Sequence, residues 1–142
     1  MLRALCRIQP EAVGRADTLT EVGSYRDLKV WQVGIELTRE VYVLTRSFPK
    51  CEMYGLASQM RRAAVSIPAN IAEGHAKDST KDFLRHLSIA QGSLAEMETH
   101  LVLAESLEYC DPTRISQLLD KCSEEGRMLS GLQKRLRAKI AQ

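Results

Sequence analysis

The chain has 142 residues, about the length of one domain, and its 20 Lys and Arg nearly balance its 18 Asp and Glu, for a formal net charge of +2. This balance excludes a strongly basic nucleic-acid coat protein and an acidic tail protein, and a hydrophobic fraction of 44% excludes global disorder. No apolar run reaches the ~20 residues of a membrane span, so we expect a soluble helical protein that makes no membrane contact.

The N-terminal segment differs in character from the rest of the chain. Pro10, Gly14 and Gly23 interrupt any helical period there, which predicts a poorly ordered extension over residues 1–23 and one helical domain over residues 24–142. The segment lacks the apolar core of a secretory signal peptide. The four cysteines form no C-x-x-C pair, which favours reduced thiols and a cytoplasmic location.

The first predicted helix begins at the capping-box-like Ser24-x-x-Asp27 and ends before Phe48-Pro49. Its apolar residues fall on two arcs instead of one. A surface helix of a small bundle needs a single apolar stripe, so the second arc predicts an oligomer interface. The first arc holds Leu28, Trp31, Ile35 and Tyr42, and the second holds Val30, Val33, Leu37, Val41 and Leu44.

The second predicted helix covers residues 53–74, and Pro68 inside it predicts a kink because proline removes a backbone donor. A small-residue arc with Val65, Ala69 and Ala72 extends the predicted oligomer interface. A narrow polar stripe is either an outward recognition face or a hydrogen-bonded network where helices or subunits meet. The stripe consists of Gln59, Arg62, Ser66, Asn70 and Glu73.

Two longer helices complete the predicted architecture. Ser79-Thr80 starts a third helix whose apolar residues repeat at alternating spacings of three and four, and Asp111-Pro112 starts the fourth. Short loops between four long helices imply antiparallel neighbours, so we predict an all-α, up-down-up-down four-helix bundle.

Motifs for catalysis and metal binding are missing from the sequence. It has no Glu-x-x-His pair, no G-x-S-x-G context and no glycine-rich phosphate loop, so we expect a non-enzymatic protein without metal or cofactor. The third helix is acidic and the fourth is basic. Either the basic helix meets phosphate, or adjacent helices complement each other electrostatically.

Three segments carry a family resemblance. Residues 54–74 resemble the signature of the four-helix bundle proteins encoded by intervening sequences in 23S rRNA genes. Residues 25–32 resemble the first-helix motif of that family, and residues 83–96, with a Gly-Ser-x-x-Glu element, resemble its third-helix motif. The resemblance implies a left-handed bundle that assembles as a homopentamer. It also implies a fold similar to the accessory variability proteins of diversity-generating retroelements, which bind nucleic acid and a reverse transcriptase.

Two functions are compatible with these observations. The first is an oligomeric protein that associates with nucleic acid, in particular structured RNA such as rRNA, through a weakly basic surface. The alternative is a protein-interaction scaffold that makes no direct contact with RNA or DNA. The residues predicted to contact nucleic acid are Arg61, Arg62, Lys134, Arg135 and Arg137.

Overall fold

The structure, a computed structural model, describes residues 23–141 and contains four α-helices in that range, with no β-strand. The helices are α1 (Lys29–Thr45), α2 (Leu56–His75), α3 (Thr80–Ser106) and α4 (Pro112–Ile140). The all-helical prediction is therefore confirmed. The predicted N-terminal extension, apart from Gly23, lies outside the described residues.

Side-chain caps define three of the predicted starts. Ser79 accepts a hydrogen bond from the Asp82 amide at the start of α3, and Asp111 accepts one from the Thr113 amide at the start of α4. Ser24 also caps a helix, but only a 3₁₀ turn over Tyr25–Asp27, and the N-cap of α1 is Leu28, four residues later than predicted. The caps follow from unpaired backbone N–H groups in the first turn of any helix.

The four helices share one apolar core, as in a four-helix bundle. Helix α1 contacts α2 and α4, and α3 contacts the same two helices from the other side. In α2 and α3, Ser66 contacts Ser93 and Asn70 contacts His86, so residue numbers rise along one helix as they fall along the other. The largest fully buried apolar side chains come from all four helices: Leu37, Met60, Ile67, Ile71, Leu87, Met97, Leu101, Ile115, Leu118, Leu129 and Leu132.

The second apolar arc of α1, which is the predicted oligomer interface, lies in the core of the single chain. All five residues of the predicted interface arc are buried within the single chain, and Leu37 and Val41 are 0% exposed. They face α2 and α4, so the prediction that they form an oligomer interface was wrong. The 3-4-4-3 spacing of this arc is that of a core seam. The residues that belong to the core, and not to the predicted interface, are Val30, Val33, Leu37, Val41 and Leu44.

Helix α2 continues through Pro68, and a neighbouring helix supplies a donor to the carbonyl that the proline leaves without one. Pro68 has no N–H, so the Ala64 carbonyl lacks its usual donor four residues on. The Thr38 hydroxyl of α1 lies 3.0 Å from that carbonyl oxygen and 2.8 Å from the Gly34 carbonyl oxygen, and it donates to this pair. The substitute donor joins α1 to α2 at mid-bundle.

Candidate functional site

The C-terminal half of α4 carries a dense group of positive charges. Five basic side chains lie between residues 126 and 141, a stretch with no Asp or Glu, and all five are exposed. Within residues 23–141 none of them forms an ion pair or a side-chain hydrogen bond. We call this group, which includes three predicted nucleic-acid residues, the basic surface of α4: Arg127, Lys134, Arg135, Arg137 and Lys139.

Charge complementarity between adjacent helices, the alternative to phosphate binding, is seen at Lys121 in the N-terminal half of α4. Lys121 Nζ lies 2.7 Å from Glu36 Oε1 and 2.8 Å from Glu40 Oε1 of α1. Burial alone would lower the pKa of Lys121, but its hydrogen bonds to the two carboxylates outweigh burial and raise it. Complementary charges therefore join α1 to the N-terminal half of α4, whereas the basic surface has no such partner in the described chain.

The structure separates the two arginines of α2 from the basic surface of α4. Arg61 contacts Thr45 at the C-terminal end of α1, whereas Leu136 lies with Leu28 near the N-terminal end of α1. Those ends are 17 residues apart, or about 25 Å at ~1.5 Å per helical residue. The five predicted nucleic-acid residues therefore form two groups at opposite ends of the bundle.

The polar stripe of α2 is partly a hydrogen-bonded network with α3. Ser66 Oγ lies 2.8 Å from Ser93 Oγ, and the Asn70 amide donates to Ser66 Oγ. His86 Nδ1 donates to Asn70 Oδ1 over 3.1 Å, and a Glu73 carboxylate oxygen lies 3.9 Å from the same nitrogen.

The remaining two residues of the stripe, Gln59 and Arg62, are exposed and take no part in this network. The small-residue arc of α2 also lies at the surface of the single chain. Val65 and Ala69 are exposed and Ala72 is half-buried. These three residues are accessible to a second copy, and the oligomer contact expected of them stays a prediction.

Helix α4 also buries an acid, Glu125, which in the sequence is visible only as an interruption of the apolar spacing. Glu125 is 0% exposed, and among residues 23–141 neither of its carboxylate oxygens has a hydrogen-bond partner. Burial, with a smaller contribution from the Glu124 charge, raises its pKa from 4.5 to about 8. Burial also raises the pKa of the nearby Cys122 thiol to about 12, which makes it unreactive as a nucleophile.

Neither a metal site nor a membrane-spanning helix is found among residues 23–141. Within residues 23–141, no three His, Cys, Asp or Glu side chains come together in a way that could hold a metal ion. None of the helices in that range combines the length and apolar character needed to cross a bilayer.

Fold and surface define an α-helical protein of four helices around one core, with a basic surface on the last helix. The family model for the 23S rRNA-intervening sequence protein matches residues 26–131, and the chain belongs to that family. Its fold is similar to the crystal structure of a protein of unknown function from the S23 ribosomal protein family of Bacteroides thetaiotaomicron. The TM-score is 0.67 at 24% identity, over 74% of this chain and 98% of the other. No curated protein matches the chain.

Proposed function

We propose that the chain is a non-enzymatic, oligomeric bundle protein that associates with structured RNA, such as rRNA, through the basic surface of α4. The observation that carries the proposal is a group of five exposed basic side chains on one half-helix, unpaired within the described part of the chain and with no acidic residue among them. Lys and Arg side chains that are free of protein partners can neutralise phosphates and release counterions, which gives sequence-independent, salt-sensitive affinity.

Charge elsewhere in the bundle supports a defined orientation on the nucleic acid. Residues 93–111, the C-terminal part of α3 and the following loop, contain five acidic residues and neither Lys nor Arg. Gln91 of α3 contacts Ser130 of α4, so the basic surface lies beside the half of α3 that precedes this acidic stretch. Phosphates would approach the basic end and be repelled from the acidic end.

The proposal includes assembly and finer architecture. We expect a cytoplasmic homopentamer whose contacts include Val65, Ala69 and Ala72, and five chains of net charge +2 would repeat the basic surface around one axis. We also expect a left-handed, up-down-up-down bundle with a kink at Pro68. The opposite residue order of α2 and α3 at their contacts supports antiparallel neighbours.

The test measures binding of nuclease-treated protein to an RNA hairpin and to duplex DNA across a salt series. We expect affinity to fall steeply with salt and RNA to be preferred. Arg135→Glu combined with Arg137→Glu should weaken binding at least tenfold at low salt, because each reversal replaces a phosphate contact with repulsion.

A matched charge reversal at other exposed sites serves as the control. Arg39→Glu with Arg114→Glu changes the net charge of the chain by the same amount on α1 and at the start of α4. Both variants should keep the helicity of the wild type. Equal loss of affinity in the two variants would mean that only net charge matters, and unchanged affinity in the first would contradict the assignment to α4.

A scaffold that binds a protein instead is favoured by exposed apolar side chains near the end of α3. Val102, Leu103 and Leu107 are each about half exposed and lie in the acidic stretch. A defined protein partner that is retained after nuclease treatment and lost with Val102→Lys plus Leu107→Lys would support this second function. Retention by that double variant would argue against it.

A further inference from the structure

A second positively charged feature lies at the other end of the bundle, where α1, the loop after it and α2 form an open groove. Its lining includes Tyr42 of α1, Met53 and Tyr54 of the loop, and Arg61, Arg62 and Val65 of α2. None of the described residues that line it is acidic. The groove therefore combines two arginines and two tyrosine rings, and no carboxylate among its described lining residues neutralises the arginines.

Arg61 is held in a fixed position by neutral groups. Its Nε donates to Thr45 Oγ1 over 2.9 Å, and its guanidinium carbon lies 4.8 Å from the centre of the Tyr42 ring. The Thr45 hydroxyl proton is directed to the Val41 carbonyl, which leaves its oxygen free to accept from Arg61. Within the described residues, the terminal nitrogens of this guanidinium have no hydrogen-bond partner, so they can donate to an anion, for which the planar guanidinium is well suited.

Tyr54 supplies a flat aromatic face beside this cation. The residue is 92% exposed and Met53 beside it is also exposed, whereas Val65 at the same groove is one of the expected contacts to a second copy and is not needed by the ligand. A tyrosine ring that is so exposed gains nothing from packing in the single chain, but it can stack on a planar ligand. Arg62, exposed on the same turn of α2 as Arg61, adds a second donor for phosphate.

We infer that this groove binds an unpaired nucleotide of an RNA strand, with its phosphate on Arg61 and Arg62 and its base stacked on Tyr54. The inference rests on the proposed function and extends it, because duplex phosphates would meet the basic surface of α4 and unpaired nucleotides would meet the groove. Stacking on an exposed ring requires a base that is free of its duplex partner, which makes a single-stranded segment the ligand.

The experiment compares two RNA probes with the full chain: a blunt duplex, and the same duplex with a six-nucleotide uridine overhang. Wild-type protein should bind the overhang probe more tightly. Tyr54→Ala should remove roughly tenfold of that affinity, the scale of one base stacked on an aromatic ring, and leave blunt-duplex binding unchanged. Tyr54→Phe keeps the ring and should bind both probes like the wild type.

The contribution of Arg62 is measured through the salt dependence of binding. Arg62→Ala should weaken overhang binding and lower the slope of log affinity against log salt by about one, as expected for one lost phosphate contact. Arg39→Ala, an exposed arginine outside the groove, is the control and should leave the preference for the overhang intact.

The outcomes separate this inference from the proposed function. Equal binding of the overhang probe by wild type and Tyr54→Ala would overturn the groove, while loss of duplex binding in the Arg135 and Arg137 reversal would still support the role of α4. A change in sedimentation of Tyr54→Ala with unchanged RNA binding would mean that a second copy covers the groove, which also overturns the inference. Failure of the wild type to bind either probe at low salt would overturn both proposals.

Discussion

Glu125 provides the sharpest physical test of the bundle, because its burial couples protonation to folding. Its carboxyl group is fully buried beside α1: a Cβ added at Gly34 would lie 3.2 Å from Oε1. The folded-state pKa is raised to about 8 from 4.5, so between these values the folded chain holds a proton that the unfolded chain has released. Raising the pH in that window therefore destabilises the fold, and lowering the pH through it restores stability.

The magnitude follows from the size of the pKa shift. Each pH unit between 4.5 and 8 costs about 1.4 kcal/mol of unfolding free energy, which sums to roughly 5 kcal/mol across the window. Glu125→Gln keeps the shape of the neutral acid and has no charge to bury. Its advantage over the wild type should grow from near zero at pH 4.5 to about 3 kcal/mol at pH 7 and level off above pH 8.

Urea unfolding followed by circular dichroism at several pH values between 5 and 9 measures this difference at one fixed protein concentration. Glu105→Gln removes an exposed carboxylate from α3 and should show no widening gap with pH. A constant difference between Glu125→Gln and the wild type from pH 5 to pH 8 would refute the reasoning. It would mean that the carboxyl group is hydrated, or is ionised and paired, in the folded chain.

Two further predictions concern the packing of α2 against its neighbours. Thr38→Val removes the donor to the Ala64 carbonyl, which Pro68 leaves without a partner, and should lower the unfolding free energy by about 1–3 kcal/mol. Thr38→Ser keeps the hydroxyl and should retain most of the wild-type stability. Equal stability of the two variants in urea unfolding would contradict the role of the hydroxyl. Gly74→Ala should lower the melting temperature, because the added Cβ would lie 2.6 Å from His86 Cβ. At Gly92 an added Cβ would meet no packed neighbour within 4 Å among the described residues, so Gly92→Ala should instead stabilise α3 by about 0.5–1 kcal/mol. Destabilisation of both glycine variants would indicate a cause other than close packing.

Gly74 is required for close packing of α2 against α3, although its place in the sequence indicates a helix C-terminus. Its position predicts a helix end, since glycine is common just past the last turn. The helix instead continues to His75, and no described glycine has a positive φ. The glycine is needed because Phe83 and His86 of α3 approach its backbone, and such an approach depends on a neighbouring helix that is distant in sequence.

Local sequence is enough to predict the helices, the caps at Ser79 and Asp111, and the family, because each of these depends on neighbours along the chain. The three-dimensional arrangement of the helices was needed to assign the core arc of α1, because both arcs have helical spacing and the assignment depends on where α2 and α4 pack. It also decided that Arg61 and Tyr42 share a groove with Tyr54, and that Arg61 lies far from Arg135. Charge and periodicity identify candidate residues, but distances between helices determine which of them can act together.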